Sequence, residues 1–154
     1  MKEITDNETR KHILKVNALI SLMICSLIER SLKHDSSKLG DVEGPIFDEF
    51  TPKLSGSTYG SDEYKSFLKE MSVALDHHYK ENRHHPEHFD NGIKGMSLID
   101  LVEMLCDWKA ATLRHDNGDI IKSINVNQER FGYSDELKGI LLNTIKDLGW
   151  EERE

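Results

Sequence analysis

Eight histidines are unevenly placed in this sequence. Five fall between His77 and His88, in the run DHHYKENRHHPEH, and a sixth, His34, stands beside Asp35 in HDSSK. Imidazole and carboxylate are the ligands that suit Zn, Mn, Fe, Co and Ni. Clustering of this kind predicts a metal site, with one or two of the histidines left to cap helices or pack on Pro86. A further stretch supplies acid. Asp100, Glu103 and Asp107 recur at i, i+3 and i+7 and so share one face of a helix, with Leu98, Leu101, Val102, Leu105 and Trp108 on the opposite arc. Met104, Ala110 and Ala111 flank that face, so the helix is expected to be buried nearly all round. A buried carboxylate needs a cation or hydrogen bonds to stay ionised, which points to Asp107 as a ligand.

The elements that must position these groups are helices. Apolar residues Ile13, Val16, Ile20, Met23, Ile24 and Leu27 recur at helical spacing, predicting a helix from about Glu8 to Lys33. Gly40, Gly44 and Pro45 end that regularity, and the polar run Thr51 to Gly60 reads as a loop. Ser61 followed by Asp62 and Glu63 is an N-cap with acids in the first turn, opening a second long helix that continues to about Glu81. After the irregular stretch NRHHPEHFDNGIKG, Ser97 with Asp100 resembles a capping box and starts a third helix, Leu98 to about His115. Two more are expected, from about Asp119 to Phe131 and from Ser134 to Leu148. No strand pattern stands out. The predicted fold is an all-α compact bundle of about five to seven helices forming a single domain over residues 1–154.

Composition bounds the function. A chain of 154 residues can bury a core without metal or disulfide support, so a metal here is expected to serve function. The net charge of -8 works against binding a phosphate backbone, and polymeric nucleic acid is not expected as a partner. The apolar run Ala18 to Ile24 is far shorter than the ~20 residues of a membrane span, and the first ten residues are polar, so neither a membrane nor a signal segment is expected and the location should be cytoplasmic. Cys25 and Cys106 sit in apolar helical patterns and read as reduced core thiols.

Taken together, His12, the His34-Asp35 pair with Lys38 three positions on, the His77-His78 and His84-His85 pairs and Asp107 in CDWKAA resemble the ligand order of HD-domain metal-dependent phosphohydrolases. More narrowly, the phrases HDSSKL, YGSDEYK, HHYKENRHHPEHF and LVEMLCDWKAA, spread over about residues 10 to 130, resemble a family of short HD-like proteins from bacterial and phage genomes that lacks an established activity.

The resemblance implies an HD-like bundle with one or two divalent transition metal ions. His12, His34, Asp35 and Asp107 would hold the first, with Asp35 able to bridge to a second held by His78 and one or both of His84 and His85. Lys38 would touch phosphate or the attacking water, and Arg83 would clamp phosphate. The implied activity is hydrolysis of a small phosphorylated substrate, a nucleotide or similar phosphoester, through metal-activated water, in a chain that could form a homo-oligomer. Two other readings stand beside it: an HD-like di-iron oxygenase, and a non-catalytic module that binds a nucleotide or a protein with metal as support. The resemblance also carries a geometric expectation. His12 and His34 would be about 33 Å apart on an unbroken helix at 1.5 Å per residue, so a break between Ser21 and Ser31 is expected to bring them together.

Overall fold

The computed structural model describes residues 2–57, 61–114 and 118–151. Among these the regular structure is entirely helical, with seven α-helices and three short 3-10 turns. The chain divides into two compact units, Met1–His34 and Asp35–Glu154.

The first unit is one helix, α1, Lys2–Lys33. No proline or glycine interrupts it. The Ser21 and Ser31 hydroxyls donate to the carbonyls of Asn17 and Ile28 at 2.9 and 2.8 Å, bonds that ride along the helix without ending it. The break expected between Ser21 and Ser31 is therefore absent. His12 stays about 33 Å from His34 at 1.5 Å per residue, and it leaves the ligand set. The apolar residues of α1 from Ile13 to Leu32 are exposed, Leu27 excepted. By length and composition it could cross a membrane, with a mean hydropathy of 1.5 over its most apolar 18 residues, a property that the short run Ala18 to Ile24 does not reveal.

The second unit starts with a 3-10 turn, Ser36–Leu39, and continues through α2 (Gly44–Gly56), α3 (Asp62–Glu70), α4 (Ser72–Glu81), α5 (Leu98–Leu113), α6 (Ile120–Phe131) and α7 (Asp135–Asp147). Its apolar core joins the last three helices: Leu105, Ile120, Ile124, Tyr133, Leu141 and Ile145 are buried together, and Trp108 stacks on Phe131. Tyr133 donates its hydroxyl to the Ile124 carbonyl at 2.6 Å, which satisfies the one polar atom that this side chain brings inside.

Helix starts were legible from their caps. Ser61, Ser97, Asp119 and Ser134 each accept a backbone N–H at an N-terminus, and Ser97 with Asp100 forms the full capping box. Two expectations on extent change. Residues 51–56 belong to α2 despite Pro52, because Phe47, Phe50 and Leu54 line one face and buried Phe50 meets Phe67 of α3 edge-on at 6.1 Å. Tertiary packing outweighs one missing N–H there. Thr58 to Gly60, and His115 at the expected end of α5, lie outside the described residues. The long helix expected from Ser61 to Glu81 is two, α3 and α4, which part at buried Met71, whose ψ of 3° leaves the helical region. Cys25 and Cys106 are free thiols, but exposed ones, not core.

Candidate metal centre

Asp35 opens the site. Its φ of 55° makes it the one non-glycine residue in the left-handed region among the described residues, a conformation Asp tolerates better than most and one that costs free energy unless its surroundings hold it. Two bonds do so locally. The Lys38 backbone N–H donates to the Asp35 carbonyl at 2.9 Å, and Lys38 Nζ donates to Asp35 Oδ2 at 2.6 Å. The other carboxylate oxygen, Oδ1, is turned towards histidines.

Helix α4 brings His77 and His78 on its final turns. His78 is buried, and its capping neighbour Asn82 donates to the His78 carbonyl at 2.9 Å and to Ser37 Oγ at 2.7 Å, tying the helix end to the 3-10 turn. The chain then bends through residues 82–85, where Pro86 holds the preceding residue extended, with His85 at φ −96° and ψ 129°. From this bend His84, fully buried, and His85 turn inward with ring centroids 4.1 Å apart.

Four ligand atoms meet. His78 Nε2 lies 3.3 Å and His84 Nε2 3.5 Å from Asp35 Oδ1, and His85 Nε2 lies 2.9 Å from His78 Nε2. Asp35, His78, His84 and His85 each offer an atom within 4.8 Å of the others. Four ligands about 2.1 Å from one ion stand roughly 3.4 Å from each other in a tetrahedron, so the spacing fits a small divalent ion. The cluster is a His/Asp group that could hold a metal ion. Asp107 sits at its edge, with a ligand atom within 4.8 Å of one on His84.

Behind the ring nitrogens stand two carboxylates. Glu43, the N-cap of α2, has no solvent exposure, and its two oxygens accept from His77 Nδ1 at 2.7 Å and His78 Nδ1 at 2.8 Å. Burial alone would raise its pKa, but hydrogen bonds from His77, Ser37 and His78 outweigh that and hold it below the usual carboxylate value. An ionised Glu43 only accepts, so His78 carries its proton on Nδ1 and presents a bare Nε2 to Asp35. Glu103 Oε1 lies 3.2 Å from His84 Nδ1, an ion-pair distance. Burial lowers the pKa of His78, with the Lys38 charge adding to it, and burial followed by the neighbouring His84 and His78 pushes His85 down to about 3. Both rings are thus neutral at ordinary pH, the form that ligates metal.

Among the expected residues, Asp35, His78, His84 and His85 converge, Asp107 borders them, and Lys38 touches Asp35. His34 follows α1, its N–H donating to the Arg30 carbonyl at 2.8 Å. His77 serves Glu43, and His88 Nδ1 donates to the Tyr79 carbonyl at 3.0 Å. Arg83, expected as a phosphate clamp, sends Nε and a terminal nitrogen to the two oxygens of buried Asp100, both at 3.1 Å, with Phe89 under its guanidinium. Asp100 also accepts the Ser97 N–H and hydroxyl. The acidic face of α5 turns inward as expected, Asp100 buried and Glu103 nearly so, but the helix is not buried nearly all round: Leu98, Val102 and Leu113 are exposed. Glu43 was not foreseen. A lone Glu before Gly44-Pro45 carries no signal in the sequence for its two histidine partners.

The model of a family described as "Family of unknown function (DUF5662)" matches residues 1–147. No curated protein and no solved structure matches the chain.

Proposed function

The chain belongs to this family of unknown function, and we propose that its Asp35, His78, His84 and His85 hold a divalent transition metal ion with which the protein hydrolyses a small phosphoester, a nucleotide or similar compound. The observation that carries the proposal is the convergence of three imidazoles on the Asp35 carboxylate, with the buried Glu43 carboxylate behind His78 Nδ1 and Glu103 beside His84 Nδ1. Such backing raises ligand basicity and fixes the ring. A divalent ion bound there would bring the pKa of a coordinated water from 15.7 towards ~7 and polarise a phosphoryl oxygen.

The remaining roles belong to the chain's own groups. Asp35 supplies one oxygen to the cluster while Lys38 neutralises the other. Lys38 keeps about a third of its side chain in solvent, so its ammonium can also meet an incoming phosphate, offsetting charge as it develops. Asp107, beside His84, is placed to join the ligands or to accept a proton from a bound water. His34, the HD partner of Asp35, remains a proposed ligand.

The test is elemental analysis of the purified chain and of Asp35→Asn and His84→Ala, with a screen against nucleotides and generic phosphoesters. Stoichiometric metal in the parent, its loss in both variants and metal-dependent phosphate release support the reading. Full metal in either variant removes the site, and a metal-loaded chain that hydrolyses nothing in the screen removes the activity while leaving the site.

A further inference from the structure

Three histidines converge on Asp35, but the chain does not hold them alike. A carboxylate oxygen lies at the Nδ1 of two of them: Glu43 Oε2 is 2.8 Å from His78 Nδ1, and Glu103 Oε1 is 3.2 Å from His84 Nδ1. Both of these rings are buried, at 2% and 1% exposure. His85 is only half-buried, and among the described residues no hydrogen bond reaches its Nδ1. Aromatic contacts hold its ring instead, edge-on to Tyr79 at 5.0 Å and tilted on His84 at 4.1 Å. A carboxylate at Nδ1 fixes the orientation of a ligating ring and raises its basicity. Ring contacts are tied to no single atom and let the ring slide or turn.

Spacing sets His85 apart in the same way. Ligands about 2.1 Å from one ion stand roughly 3.4 Å from each other in a tetrahedron. His78 Nε2 and His84 Nε2 meet Asp35 Oδ1 at 3.3 and 3.5 Å, whereas His85 Nε2 stands 2.9 Å from His78 Nε2. His85 therefore has to draw back from His78 to join a tetrahedral set. The number of ligands decides what such a set can do. Four protein ligands close a tetrahedral centre, as in structural metal sites, while catalytic centres use three and leave a position for water or substrate. A hydrolytic site in which four side chains converge has to release one of them. His85 has no carboxylate at Nδ1, the shortest spacing to a neighbour and a ring that solvent reaches.

Resting on the phosphohydrolase reading above, we propose that His85 is the displaceable ligand: Asp35, His78 and His84 hold the ion throughout, and His85 yields its place to a phosphate oxygen of the substrate. The exchange breaks one bond to nitrogen and makes one to oxygen, with no proton or electron transferred. The test uses the full chain loaded with cobalt(II), whose visible absorption reports coordination, and inorganic phosphate as the probe. Phosphate should alter the parent's spectrum. His85→Ala should bind it about 10-fold more tightly, because the open arrangement no longer has to be populated first. Affinity for cobalt should fall by no more than about 10-fold in His85→Ala, the low end for loss of an outer carboxylate, and by more than its upper end of about 100-fold in His78→Ala and His84→Ala. Added imidazole should restore the parent's spectrum to His85→Ala. His85→Gln, which fills the ring's place with a poor ligand, should bind cobalt and phosphate as His85→Ala does, and circular dichroism of both variants should keep the parent's helical signal. Cobalt affinity in both His85 variants as low as in His84→Ala overturns the assignment, as does phosphate binding equally to parent and variants. A parent that takes up no cobalt overturns the metal site and this assignment with it. Bound cobalt with no phosphoester cleaved removes the hydrolase reading without moving these spectra, so the two failures are told apart.

Discussion

Glu43→Gln is the most informative single change, because it alters two atoms and leaves volume intact. The carboxylate accepts from two Nδ1–H groups at 2.7 and 2.8 Å with no water in reach. An amide has one oxygen and one NH2, so it can satisfy only one of the two rings, and its NH2 faces the other as a second donor. If that ring is His78, the imidazole accepts at Nδ1 and moves its proton to Nε2, the atom aimed at Asp35. Loss of an outer carboxylate of this kind costs about 10- to 100-fold in metal affinity, equivalent to about 1.4–2.7 kcal/mol. The assay is competition against a chelator of known affinity, with the thermal transition followed in parallel. His77→Ala alone should leave affinity within about threefold, because His77 touches only the carboxylate. Added to Glu43→Gln, His77→Ala should restore most of the loss by letting the amide oxygen turn to His78. Unchanged affinity in Glu43→Gln, or no recovery in the double variant, would refute the tautomer argument.

Three further outcomes are expected. Lys38→Ala should keep its metal within a few-fold yet lose about 100-fold in turnover, the usual scale for removing an electrostatic stabiliser; steady-state kinetics at matched metal content checks it. Arg83→Ala should leave turnover per metal ion unchanged and lower stability, because Asp100 is then buried without its partner; a half-exposed Arg holds this to about 1–2 kcal/mol, read from denaturant unfolding. In the metal-free chain His78 and His85 have folded pKa values below the unfolded 6.5, so their contribution is fully present above pH 6.5 and is lost as pH falls towards the folded values, about 3 for His85. Denaturation midpoints should therefore decline steadily from pH 7 to pH 4, and a flat profile would show that these rings are not buried neutral.

What the sequence disclosed follows from how local each signal is. Helix N-termini were legible because a cap is made by residues two or three apart. Histidine density marked the candidate site, since the cluster in residues 77–88 supplies three of the four converging side chains and HDSSK the fourth. Extents were less legible: Pro52 suggests a stop, but Phe50 finds Phe67 across the α2–α3 packing, a contact with no local trace. At α5 the acids turn inward as expected, but burial nearly all round does not follow: Leu98, Val102 and Leu113 are exposed, and the local pattern does not mark which apolar residues a distant segment will cover. Glu103 and Asp100 face histidine and arginine from a different segment, and that pairing reverses the rule that charge goes out. His12 was placed in the site by the resemblance, which needs a turn that the continuous apolar spacing of the segment does not offer; Ser21 and Ser31 bond back to their own helix.

The segment from Asn82 to His88 carries two of the proposed ligands yet has little apolar anchorage; it is fastened by Arg83 to Asp100, His84 to Glu103 and Glu87 to Arg130. These ties are short-ranged, directional and sensitive to ionic strength, unlike the packed Ile and Leu residues of α5 to α7. Local opening of that segment is thus a lower-energy event than melting of the core. Ion loading and amide protection in residues 82–88 become two readings of one equilibrium, with the rest of the globular unit a bystander to it.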